Sequence, residues 1–333
     1  MKKTKKLLAC LIAAATMFTM GSTAFAAENS SKVKVPTTDG TVQFTKEYRL
    51  IGEGTSPEET FTFNIENKEV TDAAGTVTKN NMPTPTVGSV TYNAAGATAE
   101  GNKQPVTVTL PGYSSVGVYT YTIEEKTGST AGVDYDTTPV IMKVTVVNGE
   151  TDGTFKVETV SFTKNGEKLV DDAAFTNTYS AGKLNISKTV TGNLGDKSKY
   201  FEFKVTLKGV EGKTYANSYA VLGGSNTSNS KSIEIGKEAT FLLKHGDTIR
   251  IANLPYGVTY TIAETTAKGY ETTKTGDIGT VDSAEQTAAF TNTKAGEVDT
   301  GINLTTLPYI LVFAGVIVIA GAAFITRRRR YED

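Results

Sequence analysis

Short runs of alternating apolar and polar residues fill the chain between about residues 40 and 295, and this period of two is typical of β-strands. Three stretches rich in Gly, Ala, Asn, Ser and Thr predict loops, at residues 93–102, 128–136 and 223–230. No convincing amphipathic helix of ten or more residues interrupts the pattern. The predicted strands are residues 61–65, 106–110, 118–123, 140–146, 201–207, 239–243, 248–251 and 258–263.

The hexamer Ala-Ala-Phe-Thr-Asn-Thr occurs twice, at residues 173–178 and 288–293. Two other patterns precede it each time. An apolar-x-apolar-x-Lys pattern occupies residues 42–46 and 184–188, and Tyr-Thr-Ile-x-Glu occupies residues 121–125 and 260–264. We therefore predict two tandem antiparallel β-sandwich domains, of immunoglobulin-like or Cna-B-like character, over residues 27–180 and 181–295, with a short joint at residues 180–182. The distance from Glu to Asn is longer in the first repeat, which predicts extra strands or a longer excursion there.

Each repeat places a lysine and a glutamate at positions that share a strand face with core residues. Because alternate side chains point the same way, Lys46 lies on the face of Phe44, and Glu125 lies on the face of Ile123. Lys and Glu are rarely fully buried unless they are paired. An ion pair at the rim of the sandwich would explain one such residue, but the recurrence of the whole set favours a functional trio. The two sets are Lys46, Glu125 and Asn177, and Lys188, Glu264 and Asn292.

The two ends of the chain have the features of export and anchoring segments. Four lysines, an apolar stretch at residues 7–20 and Ala24-Phe25-Ala26 predict a signal peptide over residues 1–26. Cys10 is the sole cysteine and lies near the start of the apolar stretch, whereas the cysteine of a lipoprotein signal would follow that stretch, which argues against a lipoprotein signal. At the other end, residues 307–326 form a predicted transmembrane helix, and residues 327–333 form a basic tail that would stay in the cytoplasm. Taken alone, residues 296–333 could be a permanent membrane anchor.

With these features the chain resembles Gram-positive major backbone pilins of the streptococcal T-antigen type over nearly its whole length. The resemblance implies intramolecular isopeptide bonds from Lys46 to Asn177 and from Lys188 to Asn292, with Glu125 and Glu264 as proton shuttles. It also implies that a sortase cuts between Thr and Gly of a sorting motif. Asp299 occupies the motif position at which the family has a proline-type residue, and the leucine that usually begins the motif is absent. Which sortase recognises the motif therefore stays open. The motif residues are Glu297, Val298, Asp299, Thr300 and Gly301.

The implied chemistry follows from burial. An apolar environment lowers the pKa of a lysine and raises the pKa of a glutamate. The neutral amine is then a nucleophile, and the neutral carboxylic acid can donate a hydrogen bond to the amide oxygen as charge develops there. Folding brings the groups together, so no separate enzyme is required. Such a bond would replace the disulfides that usually stabilise extracellular domains.

The resemblance implies a secreted shaft subunit of a pilus on the cell wall. Its partners would be other copies of itself, a sortase, accessory pilins and a host surface, with membrane contact only before sorting. A non-polymerising sortase-anchored cell-wall adhesin is the alternative, and a membrane-retained secreted enzyme is a more remote one. A shaft subunit needs a lysine that accepts Thr300 of the next subunit. The candidates are Lys168 and Lys164, the latter in a Val-Ser-Phe-Thr-Lys-Asn segment at residues 160–165.

Other chemistry is disfavoured by composition. With His245 as the sole histidine and no cysteine after export, the sequence offers neither a Cys/His nucleophile pair nor a zinc site, and we expect His245 to be a turn residue. We find no phosphate-binding glycine loop and no calcium-loop pattern. Acidic residues outnumber basic ones between residues 27 and 300, which argues against nucleic-acid binding. The prediction is therefore a protein without cofactor or metal and with a single-turnover self-reaction only.

Overall fold

The computed structural model describes residues 34–73, 75–169 and 173–296, and within these ranges it contains β-strands and turns but no helix. The predicted signal peptide, sorting motif, transmembrane helix and basic tail all lie outside the described residues. The strands are β1 (Thr41–Gly52), β2 (Glu59–Phe61), β3 (Phe63–Thr71), β4 (Thr86–Val87), β5 (Val90–Tyr92), β6 (Asn102–Thr109), β7 (Gly117–Glu125), β8 (Val133–Asp134), β9 (Val140–Asn148), β10 (Phe155–Lys164), β11 (Glu167–Lys168), β12 (Phe175–Thr191), β13 (Phe201–Lys208), β14 (Tyr219–Gly223), β15 (Ser232–Ile233), β16 (Glu238–Leu243), β17 (Thr248–Pro255), β18 (Thr259–Glu264), β19 (Glu271–Thr275), β20 (Ile278–Thr280) and β21 (Glu285–Thr293).

Two sheets face each other in the first domain. One has the strand order β12-β1-β6-β4, and the other has the order β11-β10-β9-β7-β3. Phe44 of β1 lies between them, with its ring centroid 5.2 Å from that of Phe63 on β3 and 5.9 Å from that of Phe162 on β10. The apolar faces of both sheets therefore form one core, as their alternating sequences require.

The second domain repeats the arrangement with fewer strands. A four-stranded sheet of order β16-β13-β18-β20 faces a sheet in which β12 pairs with β17 on one side and β21 on the other. Phe203 of β13 and Phe290 of β21 meet edge to face, with their ring centroids 5.1 Å apart. These residues belong to a second core that is separate from the first.

One strand joins the two domains. β12 is 17 residues long, and it pairs in parallel first with β1 and then with β21. The predicted joint at residues 180–182 therefore lies inside a continuous strand. Ala181 packs in the first core and Leu184 packs in the second, and the register with β17 shifts between Gly182 and Leu184. A Cβ atom at Gly182 would lie 2.2 Å from the carbonyl oxygen of Ser283, so only glycine fits there.

Each of the eight predicted runs coincides with strands of the structure, whereas several other strands, β5, β14 and β19 among them, were not predicted. Three segments show how the structure departs from the pattern. The strand expected at residues 61–65 divides at Thr62, because β2 and β3 pair in different sheets. The loop expected at residues 128–136 contains the short strand β8, which pairs with β12. Strand β10, with few apolar residues in its first half, was not among the predicted strands. It pairs with β9 and forms a hairpin with β11. In the described part of the chain no helix is long and apolar enough to cross a membrane.

Candidate functional site

The first lysine, glutamate and asparagine set converges from three strands. Lys46 lies in the middle of β1, and Asn177 lies near the start of its parallel neighbour β12, where it is in register with Tyr48. Lys46 and Asn177 thus point to the same face, two residues apart along the register. Glu125 comes from the facing sheet, at the end of β7 and opposite Phe63 of β3. The sandwich brings the two faces together and closes the cluster.

The second set has the same register. Lys188 of β12 is opposite Phe290 of β21, just as Lys46 is opposite Phe175. Asn292 lies two residues further along, and Glu264 of β18 faces Phe203 of β13. The repeated sequence patterns therefore correspond to repeated three-dimensional positions.

Both clusters are buried, and the glutamate bridges the other two side chains. Nζ of Lys46 lies 2.9 Å from Oε2 of Glu125, while Nδ2 of Asn177 donates a hydrogen bond to Oε1 of the same carboxylate. In the first cluster the Lys46 and Asn177 residues are 0% exposed and Glu125 is 7% exposed.

In the second cluster Nζ of Lys188 donates to both carboxylate oxygens of Glu264 at 2.8 Å. Nδ2 of Asn292 donates to Oε1. Lys188 is 1% exposed and Asn292 is 0% exposed. Water is therefore largely excluded from the groups that would react.

Aromatic rings lie beneath each ammonium group, and they are not among the site residues predicted from the sequence. Nζ of Lys46 lies 4.4 Å from the ring centroid of Phe61, and Nζ of Lys188 lies 4.3 Å from that of Phe201. A Phe-x-Phe pair follows the lysine in both repeats, at residues 61–63 and 201–203. That repeated pair is the signal by which these residues could have been found.

Burial shifts the pKa values in the direction that the reaction needs. Desolvation lowers the pKa of Lys46 to about 8, although the contact with Glu125 works against this change. Desolvation likewise raises the pKa of Glu125 and lowers the pKa of Lys188. Both shifts in the first cluster favour transfer of a proton from the amine to the carboxylate.

The carboxylate contacts the nitrogen of each asparagine amide rather than its oxygen, contrary to the sequence-based expectation. This placement results from the backbone around the first asparagine, because Oδ1 of Asn177 already accepts a hydrogen bond from the N–H of Asp136 at 2.9 Å. A glutamate in this position can protonate the nitrogen that leaves as ammonia. Oδ1 of Asn292, in contrast, has no hydrogen-bond partner among the described residues.

The two candidate lysines for intersubunit linkage have different environments. The ammonium group of Lys164 is half-buried, lies 2.5 Å from Oδ2 of Asp136 and donates to the carbonyl oxygen of Ala174 at 2.8 Å. Lys168 lies on β11 with its side chain exposed. A tight turn joins β10 to β11, with Asn165 and Gly166 both at positive φ.

The remaining polar groups give little indication of other chemistry. His245 lies in the turn between β16 and β17, where its Nδ1 accepts a hydrogen bond from the N–H of Val190 at 3.0 Å. Within residues 34–73, 75–169 and 173–296, no three His, Cys, Asp or Glu side chains are grouped so that they could hold a metal ion.

Comparison with known proteins matches both halves of the chain to families. Residues 27–180 match the Spy0128-like isopeptide containing domain, and residues 182–294 match a domain of unknown function (DUF7601). A curated pilin of Streptococcus pyogenes serotype M1 is 30% identical over 304 residues, which cover 82% of this chain and 86% of that protein. The pilus tip adhesin Cpa of Streptococcus pyogenes is 42% identical over 94 residues, which are 28% of this chain and 13% of the adhesin.

Solved structures share the architecture. The crystal structure of the major pilin from Streptococcus pyogenes superposes with a TM-score of 0.51 at 25% identity, covering 78% of this chain and 100% of that one. The major pilin protein T3.2 from Streptococcus pyogenes superposes with a TM-score of 0.50 at 24% identity, covering 79% of this chain and 99% of that one. The second likeness concerns the fold alone.

Proposed function

Since the chain belongs to the family of streptococcal pilins, we propose that it is a pilus shaft subunit whose two domains each form a Lys–Asn isopeptide bond. In this proposal the bonds join Lys46 to Asn177 and Lys188 to Asn292, the residues that the two buried clusters bring together. The observation that carries this proposal is the burial of two lysine, glutamate and asparagine clusters in the same register. Pilins are structural subunits rather than turnover enzymes, and here each reaction occurs once.

The shaft role is favoured over that of a non-polymerising adhesin by the extent of the matches. The likeness to the pilin covers most of both chains, whereas the likeness to the tip adhesin covers 13% of that protein. The proposal places the protein in a pilus on the cell surface, with other copies of itself and accessory pilins as partners. It also assigns the two sandwiches an immunoglobulin-like or Cna-B-like topology, with the joint at residues 180–182 inside β12.

Intact mass tests the bond assignment. Recombinant residues 27–300 should be lighter than the sequence mass by two ammonia molecules, because each amide exchange releases one. Asn177→Ala and Asn292→Ala should each restore the mass of one ammonia, apart from the substitution itself. A mass equal to that of the sequence would contradict the proposal.

The proposal further includes a sortase that joins Thr300 of one subunit to Lys168 of the next. Exposure of the side chain supports Lys168, since the ammonium group of Lys164 is engaged with Asp136. Lys168→Arg should abolish the ladder of covalent multimers in blots of cell-wall extracts, because a guanidinium cannot accept the acyl group. Lys168→Arg leaves the charge and both internal bonds unchanged. A persistent ladder in this variant would exclude Lys168, and a single band in the unmodified protein would favour the adhesin.

A further inference from the structure

The first cluster contains a backbone hydrogen-bond donor that the second lacks. The N–H of Asp136 points at Oδ1 of Asn177 from 2.9 Å, and this oxygen is where negative charge develops when an amine attacks the amide carbon. In the second cluster the corresponding oxygen of Asn292 is buried without a partner among the described residues. The difference arises from the longer segment between glutamate and asparagine in the first domain.

Asp136 is itself held by hydrogen bonds. Its Oδ2 accepts from the N–H of Thr176 at 2.9 Å and from Nζ of Lys164 at 2.5 Å, and its Oδ1 accepts from the N–H of Thr138 at 3.1 Å. Burial works to raise the pKa of Asp136, but these hydrogen bonds outweigh it and hold the pKa below its usual range. The charged carboxylate thus ties its own segment to the residue immediately before Asn177.

Lys164 links a third strand to this arrangement. It reaches from the end of β10 to Asp136, and it also donates to the carbonyl oxygen of Ala174 at 2.8 Å. Its ammonium group lies 5.2 Å from the ring centroid of Phe175, the residue opposite Lys46 in the register. The contacts of the Lys164 ammonium group therefore lead to the segments that carry Asn177 and its donor.

We propose that the backbone N–H of Asp136 is the oxyanion donor for bond formation in the first domain, and that Lys164 is the positioning residue that holds it. The inference rests on the proposed isopeptide chemistry. It removes Lys164 from the candidates for intersubunit linkage and gives it a role inside the domain.

The reaction balances with these groups alone. Lys46 first passes a proton to Glu125, and its neutral nitrogen then attacks Cγ of Asn177 while the carbonyl electron pair moves to Oδ1, where the N–H of Asp136 stabilises it. Glu125 delivers a proton to Nδ2 and takes the surplus proton from the attacking nitrogen. The Cγ–Nδ2 bond breaks, the carbonyl reforms, and ammonia leaves.

The donor can be removed without altering any side chain. The full chain is made by cell-free translation with an α-hydroxy acid in place of Asp136, which converts that N–H to an ester oxygen. Samples are quenched in acidic denaturant at intervals and digested, and the cross-linked peptide of each domain is quantified. We expect the first bond to form about 10²–10³-fold more slowly, as for the loss of other oxyanion donors. The rate at which the second bond forms is an internal reference within the same molecule.

The matched control is the same ester at Thr137, which is exposed and whose N–H makes no backbone hydrogen bond in the described structure. It should leave both rates unchanged. Equal rates for the first bond in the two ester variants would overturn the proposal. If neither bond forms in the unmodified chain, the proposed function fails instead, so the two failures are distinguishable.

The role of Lys164 is tested by combination and by rescue. Lys164→Met should slow the first bond about tenfold, a part of the effect of losing the donor, and Lys164→Arg should restore most of the rate. In a chain that already carries the ester at Asp136, Lys164→Met should cause no further slowing, because Lys164 acts through that donor. Additive effects would show that Lys164 merely stabilises the fold, as would equal slowing by Lys168→Met.

Discussion

The two domains place the same cluster at different points relative to the proposed intersubunit links. In the second domain Lys188 and Asn292 enclose nearly the whole domain, and a force that enters at Lys168 and leaves at Thr300 must cross it. In the first domain Lys168 lies between Lys46 and Asn177, so most of that domain precedes the point where the force enters. Two chemically similar bonds would therefore have different mechanical duties.

A force that passes from Lys168 to Thr300, here called the load path, would run through β12. Its residues follow Lys168 within a few positions and run without interruption from the first core into the second. Lys183 lies in this strand at the joint, where its Nζ is 2.8 Å from Oε2 of Glu53 and 3.2 Å from Oε2 of Glu285. With the proposed links at Lys168 and Thr300, the first domain would support β12 from the side, while the second domain would carry the tension along the strand.

Single-molecule pulling should give the largest difference between the domains. With tethers at residue 168 and at the C-terminal end of residues 27–300, Glu264→Ala should release roughly 350 Å of chain between Lys188 and Asn292, because hydrogen bonds alone would then resist. Glu125→Ala should extend no further than the unmodified protein in this geometry.

Moving the first tether to the N-terminal end of residues 27–300 supplies the control. Glu125→Ala should now release the first domain, by roughly 430 Å between Lys46 and Asn177, since that domain has entered the load path. If Glu125→Ala lengthened the chain equally from both tether points, the proposed division of mechanical duties would be wrong.

Equilibrium stability should be affected in both domains, independently of the load path. Asn177→Ala and Asn292→Ala should each lower the free energy of unfolding of their own domain by about 4–5 kcal/mol, by analogy with a disulfide that closes a ~100-residue loop. Glu125→Ala should cost more than Asn177→Ala, because it also leaves the 0% exposed Lys46 without its carboxylate. Urea unfolding followed by circular dichroism measures both. Equal values for Glu125→Ala and Asn177→Ala would contradict a buried ion pair.

The sequence was sufficient to predict the all-β fold and the six residues of the two clusters, for physical reasons. Alternation fixes which side chains face the core, and a lysine such as Lys46 stands out on such a face. The convergence of Lys46, Glu125 and Asn177 then depends only on strand positions that both repeats share. Bond formation itself remains a proposal.

The residues around the clusters could not be predicted in the same way. Asp136 lies in a stretch that the sequence indicates is a loop, and its effect on Asn177 comes through a backbone N–H, which leaves no side-chain pattern. Lys164 depends on the pairing of β10 with β9, which places its ammonium group beside Asp136. The sequence did not predict that β12 is continuous, because the small side chains of residues 180–182 are also typical of a linker.

When the first bond is prevented, the stability of the first domain should depend on pH, which is a smaller effect. In Asn177→Ala, Lys46 stays buried as a free amine with its pKa lowered to about 8 from 10.5. Between these values the unfolded chain binds a proton that the folded chain does not, so the stability of the first domain should rise with pH across this window. The expected gain from pH 8 to pH 9.5 is about 2 kcal/mol at most. It should be measured by urea unfolding at both pH values.

The control for this prediction is Lys46→Met combined with Asn177→Ala, which lacks the titrating amine. Buried tyrosines whose pKa values are raised, such as Tyr92 and Tyr121, hold their protons longer in the folded state and work in the opposite direction, but both variants share them. The difference between the variants therefore isolates Lys46. An identical pH dependence in the two variants would mean that burial does not lower the pKa of Lys46, and the proposed attack on Asn177 would then lack its neutral amine.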